Sequence, residues 1–246
     1  MDNKIKVLVW TEGIYVDRQP LAAKTYPNDI CTVLEEFLSK DSELEVRTGS
    51  LPTIKSDLSE QSLNNTDVLV WWGHLYHNDV TDEMTDRIYN RIISGMGFIC
   101  LHSSMGSKVF RRLMGTDCHT KWREIGENER VWVIDPGHPI VQGLEKEYID
   151  IPCTEMYGEC FNIPPPDELV FISWYAGGEV LRSGCCYRRG AGKIFYFSPG
   201  HEEYPIYYQT EIQKVITNSV KWAMPTKGPV PQYTRHSQPL EDIHPK

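Results

Sequence analysis

Short apolar runs alternate along the first half of the chain with stretches whose apolar residues recur every three or four positions. Ile5-Lys6-Val7-Leu8-Val9-Trp10 is almost wholly apolar, the signature of a strand buried on both faces. Ile30, Val33, Leu34, Phe37 and Leu38 follow at helical spacing, with Asn28 or Asp29 placed to cap them. Leu44 to Arg47 reads as a second strand and Asp67 to Trp72 as a third. Asp79, Thr81, Asp82 and Glu83 then open a helix with a buried stripe of Met84, Ile88 and Ile92. Phe98 to Leu101 is the fourth strand, and Val109, Phe110, Leu113 and Met114 form a short helix behind it. Strand and helix in this alternation predict an α/β fold with a doubly wound, mostly parallel sheet, its strands at about residues 5, 44, 67, 97 and 193.

The second half has a different texture. Val131 to Ile134, Leu169 to Ser173, Gly184 to Arg188 and Lys193 to Phe197 are strand-like, but long loops rich in Pro and Gly separate them. Loops of that length usually cover a functional site, and the segment holding Glu155 and Glu159 is read as one of them. A last helix carries Ile212, Val215, Ile216 and Val220 on one face. Residues 1–224 are expected to form one domain. Residues 225–246, rich in Pro and poor in apolar groups, are expected to be an arm lying on a neighbouring subunit, which makes the protein a homo-oligomer.

Composition narrows the function. A net charge of -9 argues against a nucleic-acid partner, which needs clustered Lys and Arg. No apolar stretch approaches the roughly 20 residues that span a bilayer, and the first strand begins too early to leave room for a signal peptide. A cytoplasmic protein without a membrane partner is expected. The 7 cysteines form no CxxC motif and predict no disulfide, and the neighbours Cys185 and Cys186 should face opposite sides of a strand. Neither GxGxxG nor a Walker motif occurs, so no nucleotide cofactor is expected.

Two strands each deliver a histidine where they end. The fourth runs into His102-Ser103-Ser104, and Lys193 to Phe197 runs into Ser198-Pro199-Gly200-His201-Glu202. Ligands of α/β sheets bind beyond the carboxyl ends of the strands. One such histidine more often bonds a loop carbonyl; two beside a carboxylate favour a site. His102, Ser103, Glu155, His201 and Glu202 are the expected catalytic set, with Glu202 orienting His201. His102, His119, Glu155 and His201 are the residues expected to gather a divalent metal, zinc first, although their spacing matches no metal motif. Trp10, His77, Trp122, Tyr157 and Tyr204 offer aromatic surface suited to a sugar. His74 is assigned to a solvated loop and His138 to a turn. Ser103 and Ser104 match the G-x-S-x-G elbow poorly, so a Ser–His hydrolase using His201 stands as an alternative.

Four motifs occur in a suggestive order: Gly97 to Ser104, Asp135 to Leu144, Thr154 to Tyr157 and Gly190 to Glu202, closing on Val220-Lys221-Trp222-Ala223. From about residue 4 to 224 the chain resembles the ThuA-like, or trehalose-utilisation, family. That resemblance implies a flavodoxin-like sheet of the class I glutamine amidotransferase type and a role in carbohydrate use. It also matches His119 to a histidine region of the family. Amidotransferases place a cysteine after the fourth strand; here His102-Ser103 stands there and Cys100 lies inside the strand, so glutaminase chemistry is not expected. The leading expectation is an enzyme acting on a disaccharide, glycoside or oxidised sugar. A non-catalytic sugar-binding or regulatory protein is the rival from another class.

Overall fold

The computed structural model describes residues 4–13, 19–226, 228, 235, 237–239 and 241–243. The strands are β1 (Ile5–Thr11), β2 (Leu44–Ser50), β3 (Val68–Trp72), β4 (Gly97–Leu101), β5 (Lys121–Val133), β6 (Tyr148–Gly158), β7 (Glu168–Tyr175), β8 (Val180–Arg189) and β9 (Gly192–Phe197). The helices are α1 (Pro20–Thr25), α2 (Asp29–Leu38), α3 (Ile54–Asp57), α4 (Glu60–Asn64), α5 (Asp82–Ile93), α6 (Lys108–Met114) and α7 (Thr210–Ala223). One nine-stranded sheet has the order β2-β1-β3-β4-β9-β8-β7-β5-β6.

From β2 to β9 every pairing is parallel, as the alternation of strand and helix requires. Helices cover both faces, so the strands are apolar throughout. Val7, Val9, Val70 and Trp72 join the core under α2 and α7, while Leu8, Trp10, Leu69 and Trp71 join the core under α5 and α6. Each such side chain is worth about 1.5–3 kcal/mol of burial. Thr81 caps α5 by accepting from the Met84 amide, whereas Asn28 stands at the N-cap of α2 without a side-chain bond. Close approach of α7 explains Gly97: a Cβ there would fall 2.8 Å from that of Ala223.

The sheet is not purely parallel. β8, β7, β5 and β6 extend it by antiparallel pairings. The main correction to the sequence reading lies here: the segment around Glu155 is no loop but the C-terminal half of the edge strand β6. Its partner β5 is 13 residues long and irregular at two points between Arg123 and Glu129, which hides the two-residue period. Cys185 and Cys186 do face opposite cores, and all seven cysteines are free thiols. No helix of the described residues is long and apolar enough to cross a membrane. The described residues beyond Pro225 are exposed and carry neither helix nor strand; the rest of the expected arm lies outside the described residues.

Candidate functional site

Leu101 of β4 pairs with Phe197 of β9, so the chain leaves both strands at neighbouring points of one sheet edge. His102 takes the first step out of β4 with φ 52, a left-handed conformation that a non-glycine residue adopts at a cost. Its buried ring then lies with Nδ1 2.8 Å from the Ser198 carbonyl. A carbonyl can only accept, so Nδ1 carries a proton. Nε2 is left to face Glu155 Oε2 at 3.2 Å and the Tyr157 hydroxyl at 3.3 Å. Glu155 and Tyr157 alternate on one face of β6, and the Tyr157 ring stacks on His102 with centroids 4.9 Å apart.

His201 follows the Pro199-Gly200 turn, where Gly200 has φ 145 and a Cβ would strike Tyr207. Its ring meets His102 edge-on at 5.4 Å. Nδ1 accepts from the Glu203 backbone N–H at 3.2 Å, so a neutral His201 carries its proton on Nε2. That N–H faces carboxylate oxygens of Glu124 at 3.6 Å, Glu155 at 3.8 Å and Glu202 at 3.9 Å. The two imidazoles are thus held in opposite tautomers by backbone groups.

Their electrostatics diverge accordingly. Burial pulls the His102 pKa down, but the hydrogen bond and charge of Glu155, with the Ser198 carbonyl and Glu202, leave it above the ordinary imidazole value. Burial works to raise Glu155, yet His102 and His201 hold it below the usual carboxylate value. His201 falls to about 4, through burial and the neighbouring charge of His102. Glu124 is pushed up to about 7 by burial and by its contact with Glu203.

Other residues fall differently from expectation. Glu202 does not orient His201: its Oε1 accepts from Gln19 at 3.0 Å and lies 3.6 Å from His74 Nε2, while the Glu203 amide holds the His201 ring. His74 is therefore part of the site rather than a solvated loop, its ring 5.9 Å from His201. His119 is exposed and remains outside the cluster; its carbonyl accepts from Asn162. Ser103 Oγ donates to the Gly73 carbonyl, and Ser104 Oγ donates to Trp71 O while accepting from the Gly73 amide. Both hydroxyls tie the turn to the end of β3. Trp10 is core, stacked on Trp71 at 4.0 Å, because its position on β1 faces the α5–α6 side. His77 wedges against the 102–106 turn, where a Cβ on Gly106 would lie 2.9 Å from its Nε2, and burial lowers its pKa to about 4. Tyr204 borders His201 at 5.5 Å, and Trp122 stands exposed on β5 opposite Tyr157. His138 caps a turn by accepting from the Ile140 amide.

Among the described residues two sets of ligating atoms converge within 4.8 Å: His102, His201 and Glu202, and Glu124, Glu155 and His201. Glu124 and Glu202 replace the expected His119. His102 is held as a ligating imidazole would be, with Nδ1–H on a carbonyl and Nε2 toward the site. His201 presents a donor instead of a lone pair, so the set as placed does not offer three acceptors to one cation. Glu202 Oε2 is buried without a hydrogen bond, whereas Glu155 Oε2 meets His102 Nε2 at 3.2 Å.

Solved structures share this architecture. A ThuA-like protein from Parabacteroides merdae superposes with a TM-score of 0.67 at 16% identity, over 92% of this chain and 94% of that one. A ThuA-like protein from Bacteroides uniformis gives 0.63 at 13% identity, over 89% and 90%. A β-galactosidase from Bacillus circulans sp. alkalophilus gives 0.56 at 12% identity, over 90% of this chain and 32% of that one. At such identities the likeness is one of fold. No curated protein matches the chain. The family model ThuA, described as trehalose utilisation, matches residues 6–223, from β1 through α7. The chain, with its flavodoxin-like sheet and paired histidines, therefore belongs to the ThuA family.

Proposed function

We propose that this protein is a carbohydrate-utilisation enzyme in which His102 and Glu155 move a proton to and from a bound disaccharide, glycoside or oxidised sugar. The observation that carries the reading is the buried His102–Glu155 pair, in which Nε2, the atom free to take up and release a proton, faces the site while Nδ1 is fixed on a backbone carbonyl. His201 Nε2–H serves as a neutral donor to a reacting oxygen. The buried Glu202 Oε2, which has no hydrogen-bond partner, suits a hydroxyl donor of a polyol. Family membership supports the sugar, the ThuA description being trehalose utilisation. The two imidazoles, shifted in opposite directions, suit a division between a proton carrier and a neutral donor.

The test is incubation with trehalose, other disaccharides and their oxidised forms in deuterated water, read by NMR. Turnover or deuterium uptake that His102→Ala abolishes is expected. Saturable binding without either would replace the proposal with the sugar-binding, non-catalytic reading. A divalent cation, zinc first, is the second reading, favoured by the convergence of the two donor sets. In it the cation would supply Lewis-acid chemistry, and His201 would have to turn its lone pair inward. Metal analysis of untagged protein separates the two readings: stoichiometric zinc, with loss of turnover on chelation, overturns the metal-free one. The triad-like hydrolase draws no support from Ser103, whose proton is committed to Gly73. Cytoplasmic placement belongs to the proposal and suits seven unpaired thiols. So does a homo-oligomer held by the 225–246 arm, for which deletion of 226–246 should lower the sedimenting mass.

A further inference from the structure

A second concave surface lies at the other end of β5 and β6 from Glu124 and Glu155. The connection between the two strands, residues 134–147, borders a cleft of about 350 Å³ whose apolar lining is Trp132, Val133, Pro136, Val141 and Leu144. Trp132 is exposed there, and its ring meets Tyr148 across the strand pair with centroids 5.2 Å apart. The apolar surface continues over the sheet. Trp132 pairs with Ile172, so Trp174, two residues further along β7, shares its face, and Val180 on β8 sits across from Trp174; both are exposed. Monomeric proteins rarely leave a contiguous apolar patch of this kind in water, and such a patch marks a contact.

The chain carries a matching ligand. Beyond α7 come Pro225, Pro229, Pro231 and Pro239. Proline-rich sequences dock in aromatic-lined grooves, because proline fixes φ beforehand and little freedom is lost on binding. From Pro225 to Leu240 the charged residues are Lys227 and Arg235, both cationic, in a chain of net charge -9. The cleft offers the opposite sign: Glu145 and Glu147 line it and Glu211 lies beside it, against Lys146. The arm also starts nearby, since the Trp222 ring, near the end of α7, lies 5.6 Å from His138, two residues after Pro136. A two-fold axis between two such edges would set each arm root beside the partner's cleft, and an extended stretch of a dozen residues spans roughly 37 Å. The described arm residues 235, 237–239 and 241–243 are exposed on their own copy, the apolar side chain of Ile243 among them. We infer that residues 229–240 of one copy dock in the Trp132–Leu144 cleft of a second copy, the two arms exchanging across a two-fold axis. The inference rests on the arm-held homo-oligomer proposed above and names the surface that the arm grips. Docking at this end of β5 and β6 leaves the His102–His201 edge open to substrate.

The test needs no substrate. Full-length protein with a photo-crosslinking amino acid in place of Val230 is made in ordinary and isotope-labelled batches, which are mixed, equilibrated and irradiated. Mass spectrometry should find residue 230 joined to peptides holding Trp132 or Leu144, in pairs of mixed isotope. Attachment within one copy only, or to another surface, overturns the inference. Sedimentation equilibrium of the full chain then grades the contact. Trp132→Ala should raise the dimer dissociation constant by about tenfold or more, as truncation of an aromatic anchor does. Pro229→Ala with Pro231→Ala, which alters the arm alone, should weaken the dimer in the same direction and serves if Trp132→Ala fails to fold. Association at full strength in both variants overturns the inference; deletion of 226–246 that still lowers the mass would then keep the arm-held oligomer and move the arm to another surface. A parent protein that sediments as a monomer overturns both readings.

Discussion

The two halves of the sheet bring polar groups to the same site by opposite means. In the parallel half the strands are wholly apolar, and His102 and His201 stand just past their ends, each ring fixed by a backbone group. In the antiparallel half Glu124, Glu129, Glu155 and Tyr157 lie inside β5 and β6 and are held largely by side chains. Polar residues past a strand end interrupt no core. Polar residues within a strand are part of the packing, so their loss should cost stability as well as function.

The largest expected effect is on chemistry. His102→Gln keeps volume and polarity but loses the atom that carries the proton, and turnover on the sugar substrate should fall by about 10²–10⁴-fold. Steady-state rates against the unaltered enzyme check it. A loss below tenfold would move the proton carrier elsewhere.

Stability should then separate the halves. Glu155→Ala breaks the buried His102–Glu155 pair by removing one partner, a change worth roughly 3–5 kcal/mol. His201→Ala removes a ring that is neutral at physiological pH and held by one long backbone bond, with an expected cost near 1 kcal/mol. Thermal unfolding of the two variants side by side is the measurement. Equal losses would erase the distinction between strand-end and strand-borne groups.

The same division governs how far the sequence could be read. Central parallel strands buried on both faces leave unbroken apolar runs, so β1, β3, β4 and β9 stand out, and with them the two histidines at their ends. β6 does not stand out, because Asp150, Pro152 and Cys153 are exposed on an edge strand while Thr154 and Glu155 are buried for the site's sake. Irregular pairing in β5 hides Glu124 and Glu129 in what reads as a charged stretch. The sequence offers Glu155 only as a carboxylate in a supposed covering loop and within the Thr154 to Tyr157 motif, not through any strand periodicity. His74 lies one residue past Gly73, and nothing in its neighbourhood along the chain foretells that Glu202 approaches from the end of β9. Contacts between segments so distant in sequence leave no local signature.

A pH-dependent effect of intermediate size is expected at Glu129. Its folded pKa, about 7, lies above the ordinary 4.5. A raised carboxyl pKa means the fold binds the proton more tightly than the unfolded chain does. The contribution is complete below the ordinary value and is lost as pH rises through about 7. Glu129→Gln cannot ionise, so its unfolding temperature relative to the parent should climb between roughly pH 5 and pH 8. Calorimetry across that range checks the slope, and a flat difference would mean that Glu129 is already ionised in the fold at pH 5.

The smallest effect belongs to Trp122, where the antiparallel half meets solvent. Its side chain is 66% exposed, yet it sits directly across from Tyr157, whose ring stacks on His102. Cross-strand neighbours share a face of the sheet, so Trp122 extends the aromatic surface of the site outward without joining the core. Trp122→Ala should leave stability within about 0.5 kcal/mol of the parent, as exposed positions do. Sugar affinity should weaken by about 2- to 10-fold, the scale of an aromatic contact worth ~0.5–1.5 kcal/mol. Calorimetric titration with the sugar measures the second quantity and thermal unfolding the first. Unchanged affinity would confine the sugar to the buried cluster, whereas a large drop in stability would show Trp122 packed like the strand-borne residues around it.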